Sequence, residues 1–225
     1  FAKLRAILNQ YKIISAGNGF PFCGGAVGYL AYDIGFLLED KLRKKRNDDI
    51  GIPDALFGIY NWVIAVDHLK KELEIISLGV PETNSHCAQA LARENLTEVS
   101  KLIERINGIH AVKEIKKSAI VNLRSNFSKD NYISAVNRAK RYIKDGDIYQ
   151  VNLSQRFEGD SAVDGMEMNS RLRKISPSNF SAYFDGEAFE ILSSSPEQYL
   201  SLRGNSVVTR PMKGTRPRGR TQWED

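Results

Sequence analysis

Two hydrophobic periods occur along this chain in an order that limits its possible folds. Segments with the period of two typical of strands are grouped around short turns, and segments with the helical period lie between those groups. A parallel sheet is instead built from regular strand-helix-strand alternation, which this order lacks. The pattern therefore predicts an α+β fold with antiparallel sheets, and it argues against a dinucleotide-binding fold.

The strand-like segments are rich in β-branched, aromatic and small residues. Residues 24–33 are small, apolar and aromatic, which predicts a buried strand whose backbone closely approaches its neighbour. Residues 55–67 and 73–78 flank a charged turn and predict an antiparallel pair. In the last third we expect a β-meander, with hairpin turns at Asp185-Gly186 and Gly204-Asn205. Its strands are expected at 180–184, 189–192, 199–202 and 207–210.

Four segments have helical spacing: 2–8, 84–107, 128–146 and 163–175. Ser128 is a suitable N-cap for the third of them, and Gly146 a suitable C-terminal stop. Between the last two helices, residues 148–157 alternate apolar with polar side chains, and the polar face is rich in amides, Gln150 among them. This alternation predicts a strand whose polar face lines a cavity.

Composition places the chain among ordinary globular proteins. It has 225 residues, 42% hydrophobic and 26% charged, and a chain of this length can bury about 70% of its unfolded surface. A sizeable core is therefore expected. No apolar run approaches the roughly 18 residues needed to cross a bilayer, and no export signal opens the chain. We therefore expect no membrane association.

Charge and cysteine usage suggest neither nucleic-acid binding nor export. The net charge of +5 permits anion binding, but much of the excess lies at 41–46 and is offset by Asp48-Asp49, as in a solvated loop. We expect no nucleic-acid partner. Cys23 and Cys87 form neither a disulfide framework nor a zinc motif, and the three histidines lack ligand spacing. A cytoplasmic location is the simplest prediction.

Glu197 and Lys213 are the pair of residues best placed for chemistry. They lie 16 positions apart, at the two open ends of a predicted hairpin, where both side chains can approach one sheet edge. One interpretation is a surface ion pair, which periodicity alone favours. The other is a nucleophilic lysine beside a carboxyl group that transfers protons.

Several motifs around these two residues resemble the chorismate-utilising enzymes. They are Tyr-Gln-Val-Asn-Leu-Ser-Gln-Arg at 149–156, Ser-Pro-Glu at 195–197 and Arg-Pro-Met-Lys-Gly-Thr at 210–215. Residues 21–29, and the stretch from 53 to 68, are similar to the family's N-terminal region in the same order. The resemblance covers nearly all 225 residues. It implies antiparallel sheets packed as a two-layer sandwich with helices outside.

The resemblance also implies how the site works. Gln150 stands where family members that add water to the ring have lysine, so water is not the expected nucleophile. Lys213 stands where the anthranilate-forming branch typically has alanine, and lysine there is similar to the branch that aminates chorismate at C4. Lys213 is then the nucleophile, Glu197 the general acid, and Gln150, Gly214 and Thr215 contact the substrate. Met212 replaces the family's usual isoleucine with little change in volume.

Further expectations concern partners, cofactor and organisation. The resemblance implies chorismate as substrate, a glutamine amidotransferase subunit that supplies ammonia, and a product used to make 4-aminobenzoate for folate. It implies Mg²⁺, whose glutamate ligands in the family lie beyond residue 225, so no metal ligand is assigned here. We expect both ends to be cuts and this piece alone to be inactive. Residues 1–127 are expected to form the N-terminal region, and 128–225 the first part of the catalytic region.

Two alternatives stay open at this point. One is the anthranilate-forming branch of the same family, which would not need Lys213. The other is a non-catalytic module that keeps the fold and binds a partner or an amino acid.

Overall fold

A computed structural model describes residues 1–11, 20–39, 41–42, 48–106, 120–212, 217 and 219–221. The chain divides into two compact units, Phe1–Lys113 and Glu114–Asp225. The predicted α+β class with antiparallel sheets is confirmed, since all the strand pairs among these residues are antiparallel. The assignment of 1–127 and 128–225 to two functional regions stays a prediction.

The first unit contains two antiparallel strand pairs and one long helix. Strand β1 pairs with β2, β3 pairs with β4, and helix α3 packs against β4. The elements are α1 (Ala2–Gln10), β1 (Gly25–Leu30), a 3-10 helix (Tyr32–Ile34), α2 (Gly35–Leu38), β2 (Ala55–Tyr60), β3 (Trp62–Asp67), β4 (Glu72–Ser77) and α3 (Ser85–Ile106). The predicted helices at 2–8 and 84–107 are confirmed, as is the pairing across the charged turn at 68–71.

The single strand predicted at 55–67 is wrong, because Asn61 divides it into two strands with different partners. The Asn61 backbone oxygen accepts a hydrogen bond of 2.6 Å from the Leu78 N–H. Its side-chain amide donates a 3.2 Å bond to the Val80 oxygen. These bonds tie the break to the segment that follows β4, so β2 is free to pair with β1.

The expected close backbone approach in the first strand is present at Gly28. A Cβ atom there would overlap the carbonyl oxygen of Leu56 and would lie 2.8 Å from the Cα of Phe57 on β2. Glycine is therefore required for this pairing. The prediction that the strand is buried is only partly right, because Gly25 is buried whereas Leu30 is 48% exposed.

We expect Gly28→Ala to destabilise the first unit by about 1–3 kcal/mol, the usual cost of forcing extra atoms into close contact. Gly35→Ala is the matched control, because a Cβ at Gly35 meets only Leu42 Cδ1, at an ordinary 3.7 Å. Chemical denaturation of both variants measures the difference. Equal stability of the two variants would show that the β1–β2 pairing does not need glycine.

The described residues of the second unit form three antiparallel strand pairs and two helices. β5 pairs with β6, β7 with β8 and β9 with β10, and α5 packs against β7 and β8. The elements are β5 (Val121–Ser125), α4 (Lys129–Asp145), β6 (Phe157–Asp160), α5 (Gly165–Ile175), β7 (Phe180–Asp185), β8 (Glu190–Ser195), β9 (Gln198–Arg203) and β10 (Ser206–Arg210). The four predicted C-terminal strands are confirmed, but they form two separate hairpins rather than one continuous meander.

The ends of α4 and α5 follow from their local sequence. The Ser128 hydroxyl accepts a 3.2 Å bond from the Asn131 N–H, and Gly146 ends α4 in the left-handed conformation at φ 84°. Both features confirm the predicted caps. Asp164 caps α5 in the same way, accepting a 2.8 Å bond from the Glu167 N–H.

The strand predicted at 148–157 is wrong over most of its length, because β6 begins only at Phe157. Its partner β5 ends opposite, at Ser125. Beyond that point Asn126 holds Arg156 by two bonds, accepting at its side-chain oxygen from the Arg156 N–H (2.9 Å) and donating its own N–H to the Arg156 oxygen (3.1 Å). The chain then turns into α4, which begins at Lys129, so residues 148–156 have no strand partner despite their alternating pattern.

The core is smaller than composition suggests. Among the described residues, only Gly25, Val99 and Asn169 are buried. The physical reason is that each of the described sheets has two strands, and a two-stranded sheet covers little apolar surface by itself. Within the described ranges, no helix is both long and apolar enough to cross a membrane.

Candidate active site

Glu197 lies in the two-residue link between β8 and β9. Its side chain is half-buried. The Ser195 hydroxyl is within hydrogen-bond distance of the Glu197 N–H (3.4 Å) and of the Glu197 carbonyl oxygen (3.3 Å). The serine of the Ser-Pro-Glu motif therefore holds the backbone from which the candidate general acid projects.

The hairpin predicted between Glu197 and the 210–215 motif is present, formed by β9 and β10. Gln198 lies opposite Arg210 at the open end of this hairpin. Glu197 directly precedes Gln198, and Pro211 and Met212 directly follow Arg210. The hairpin therefore brings the Ser-Pro-Glu motif to the same sheet end as the start of the Arg-Pro-Met-Lys-Gly-Thr motif.

Lys213, Gly214 and Thr215 lie outside the described residues, so their predicted roles stay predictions. Gln150 is described: it is exposed and lies in the irregular segment 148–156 rather than on a strand. Its assignment to substrate contact is therefore untested. The prediction that Gln150 lies on the polar face of a strand is wrong, because residues 148–156 form no strand.

A serine cluster missed by the sequence analysis holds the end of β8, just before Ser195. The Ser194 hydroxyl lies 2.6 Å from the Ser176 carbonyl oxygen, 3.0 Å from the Ser176 hydroxyl and 3.1 Å from the Ser178 hydroxyl. These contacts join β8 to the loop that follows α5. The run Ser193-Ser194-Ser195 was visible in the sequence, but the partner serines become neighbours only when α5 packs on β8.

A second unpredicted feature is the contact between Tyr183 on β7 and Glu190 on β8. The Tyr183 hydroxyl donates a hydrogen bond to the Glu190 carboxylate. This bond, with smaller contributions from desolvation and nearby carboxylates, raises the pKa of Tyr183 to about 12. Since ionised tyrosine would face a carboxylate, the fold favours the neutral phenol.

Because the pKa of Tyr183 is raised in the folded protein, stability is expected to fall at high pH as this tyrosine ionises. Below pH 10, the ordinary pKa of tyrosine, the contribution of this hydrogen bond is fully present, and it is lost as pH rises toward 12. We expect the melting temperature of the parent protein to fall more steeply over this interval than that of Tyr183→Phe. Tyr199→Phe, which removes a phenol that is 88% exposed, is the control. Identical slopes in the parent and Tyr183→Phe would contradict the assignment.

The described residues do not form a magnesium site. Within the described part of the chain, no group of three or more His, Cys, Asp or Glu side chains is arranged to hold a metal ion. Mg²⁺ therefore stays an expectation from the resemblance.

Comparison with known proteins identifies the class to which this fold and motif set belong. The chain matches the family described as "chorismate binding enzyme" over residues 2–225. Because the match covers almost the whole sequence, the chain belongs to the chorismate binding enzyme family.

Individual relatives carry two different names. Anthranilate synthase component 1 of Thermus thermophilus is 38% identical over 207 residues, covering 91% of this chain and 42% of the relative. Aminodeoxychorismate synthase component 1 of Bacillus subtilis is 32% identical over 228 residues, covering 99% of this chain and 47% of the relative. The chain therefore spans less than half the length of these curated relatives, and their names do not agree on one activity.

A solved structure supports the fold independently. Anthranilate synthase component I from Streptococcus pneumoniae TIGR4 superposes with a TM-score of 0.75 at 25% sequence identity. The match covers 91% of this chain and 46% of the other. The α+β class with antiparallel sheets is thus shared with a family member.

Proposed function

We propose that this protein is aminodeoxychorismate synthase component I, which converts chorismate and ammonia to 4-amino-4-deoxychorismate. The observation that carries this proposal is Lys213, in the Arg-Pro-Met-Lys-Gly-Thr run at 210–215. The resemblance associates a lysine there with amination at C4, and alanine with the anthranilate-forming branch. The product would feed the synthesis of 4-aminobenzoate and folate in the cytoplasm.

The proposed mechanism uses Lys213 as the nucleophile. Its neutral amine attacks C2 of the chorismate ring, the two conjugated ring double bonds both shift toward C4, and the C4 hydroxyl departs as water after it is protonated. Ammonia then attacks C4, both ring double bonds shift back, and the C2–nitrogen bond to Lys213 breaks. The neutral amine of Lys213 is thereby restored, and a proton released from the new C4 ammonium group returns to the acid, so the enzyme is unchanged after one turnover.

Glu197 would act as the general acid in the first step. A departing hydroxyl needs a proton to leave as water, and a carboxylic acid within hydrogen-bond reach supplies it. The support from the structure is positional: Glu197 is half-buried, and Ser195 holds its backbone at the sheet end from which the 210–215 motif begins. Gln150, Gly214 and Thr215 are proposed to contact the substrate.

The proposed activity also implies a cofactor and a partner subunit. We propose that Mg²⁺ is required, with ligands outside the described residues, and that a glutamine amidotransferase subunit delivers ammonia. The names of the relatives as component 1 support a second component.

Anthranilate synthase component I is a second candidate, favoured by the Thermus thermophilus relative at 38% identity. Both candidates predict turnover, whereas a non-catalytic module of the same fold does not. The first experiment therefore incubates the longest natural form of the protein with chorismate, Mg²⁺ and ammonium, and follows chorismate consumption. Ammonium-dependent consumption supports an enzyme, and binding of chorismate without consumption would favour the module.

A further inference from the structure

One face of the β9–β10 hairpin collects cationic and polar side chains because of a β-bulge. Two residues of β9, Tyr199 and Leu200, lie opposite the single residue Thr209 of β10. In a regular strand, Gln198 and Ser201 would lie on opposite faces of the sheet, since they are three residues apart. The extra residue that the bulge adds to β9 places Gln198 and Ser201 on the same face. Three cross-strand pairs thus share this face: Arg203 with Ser206, Ser201 with Val208, and Gln198 with Arg210.

These six side chains line a cavity of about 370 Å³, and Phe180 at the start of β7 forms a further wall. Ligand pockets in proteins start at about 300 Å³, so this cavity suits a small molecule. Phe180 and Val208 supply apolar surface, whereas the serines and Gln198 supply hydrogen-bonding groups.

The charge of the lining side chains indicates that the ligand is an anion. Arg203 and Arg210 both line the cavity, and none of the described residues that line it is acidic. Among the described residues, neither guanidinium forms an ion pair. Planar guanidinium groups bind carboxylates by paired hydrogen bonds, and a flat apolar body can lie against a phenylalanine ring.

We propose that this cavity binds a small carboxylate with a flat apolar body, such as an aromatic acid. The cavity shares Arg210 with the end of the hairpin where the candidate active site begins, while Arg203 lies at the other end, next to the turn. The inference goes beyond the proposed function, because binding here does not require the amination reaction.

Calorimetric titration of the purified protein with benzoate, acetate and inorganic phosphate tests this site. We expect saturable benzoate binding that is tighter than that of acetate or phosphate. Arg203→Met and Arg210→Met should each weaken benzoate binding by about tenfold or more, as expected when hydrogen bonds from a charged donor are lost. Arg138→Met, on the exposed surface of α4, is the matched control for the change in net charge and should bind benzoate like the parent.

Ser206→Asp gives a second test that does not depend on the arginine variants folding. Ser206 is exposed, and a carboxylate there would repel the ligand without disturbing a core. Loss of benzoate binding in Ser206→Asp and Arg203→Met, but not in Arg138→Met, would support the site. Equal weakening in Arg138→Met, phosphate binding tighter than benzoate, or no saturable binding would each overturn it. Because no turnover is measured, these outcomes are independent of whether the protein aminates chorismate.

Discussion

Lys213→Ala is expected to reduce formation of 4-amino-4-deoxychorismate by on the order of a thousandfold or more, the usual scale for loss of a covalent nucleophile. Alanine has no amine to attack C2, so the covalent route is closed. The measurement is the rate of product formation with saturating chorismate, Mg²⁺ and ammonium. Saturating ammonium removes any dependence on a second subunit.

Lys174→Ala is the matched control for this variant, because Lys174 is an exposed lysine in the last turn of α5. We expect it to keep the activity of the parent. If Lys213→Ala aminated the ring at a rate within a fewfold of the control, direct attack by ammonia would replace the covalent route.

Glu197→Gln is expected to lower the rate by about 10²–10⁴-fold, the range attributed to general acid–base catalysis. Glutamine keeps the shape of the side chain but supplies no carboxylic proton to the departing hydroxyl. The loss should fall mainly on kcat rather than KM, since the proton is needed in the chemical step.

Glu187→Gln controls for removal of a carboxylate from the second unit, since Glu187 is exposed in the turn between β7 and β8. Its activity should match that of the parent. A Glu197→Gln variant that loses affinity for chorismate but keeps kcat would show that Glu197 binds the substrate rather than protonating it.

Ser195 links this prediction to the fold. The contacts between the Ser195 hydroxyl and the Glu197 backbone, and those of Ser194 with Ser176 and Ser178, hold the end of β8. The candidate acid is therefore carried on a short segment that is fixed by hydrogen bonds on its N-terminal side. Such support is what a group needs if it is to be presented in one orientation.

Local signals in the sequence were sufficient for most helices and hairpins. The helix α4 is an example: the Ser128 cap, the apolar stripe and the Gly146 stop are all encoded within 19 consecutive positions, 128–146. The β9–β10 hairpin is another, because Gly204-Asn205 sets the turn. In both elements, the interactions that decide the structure are between residues close in sequence.

The errors arose where distant residues decide the outcome. Residues 148–156 have a strand pattern, yet they lack a partner because β5 ends at Ser125 and the chain enters α4 at Lys129. Asn61 divides an apolar run because its hydrogen bonds reach Leu78 and Val80. No local pattern reports such contacts, because period-two alternation specifies a face but not a partner.

The candidate site was predictable only in part, and for a similar reason. Motif resemblance indicated Glu197 and Lys213, and the hairpin register brings Glu197 to the sheet end at which the described part of the 210–215 motif begins. The serine cluster and the arginine-lined cavity depend on α5 packing against β8 and on a bulge in β9, neither of which has a local signal.

The identity of the amination product tests the central claim most directly. The longest natural form of the protein is incubated with chorismate, Mg²⁺ and ammonium, and the product is identified by mass spectrometry and its ultraviolet spectrum. The account predicts 4-amino-4-deoxychorismate, formed at a rate that depends on Lys213. Anthranilate as the product, or formation of either product without dependence on Lys213, would contradict it.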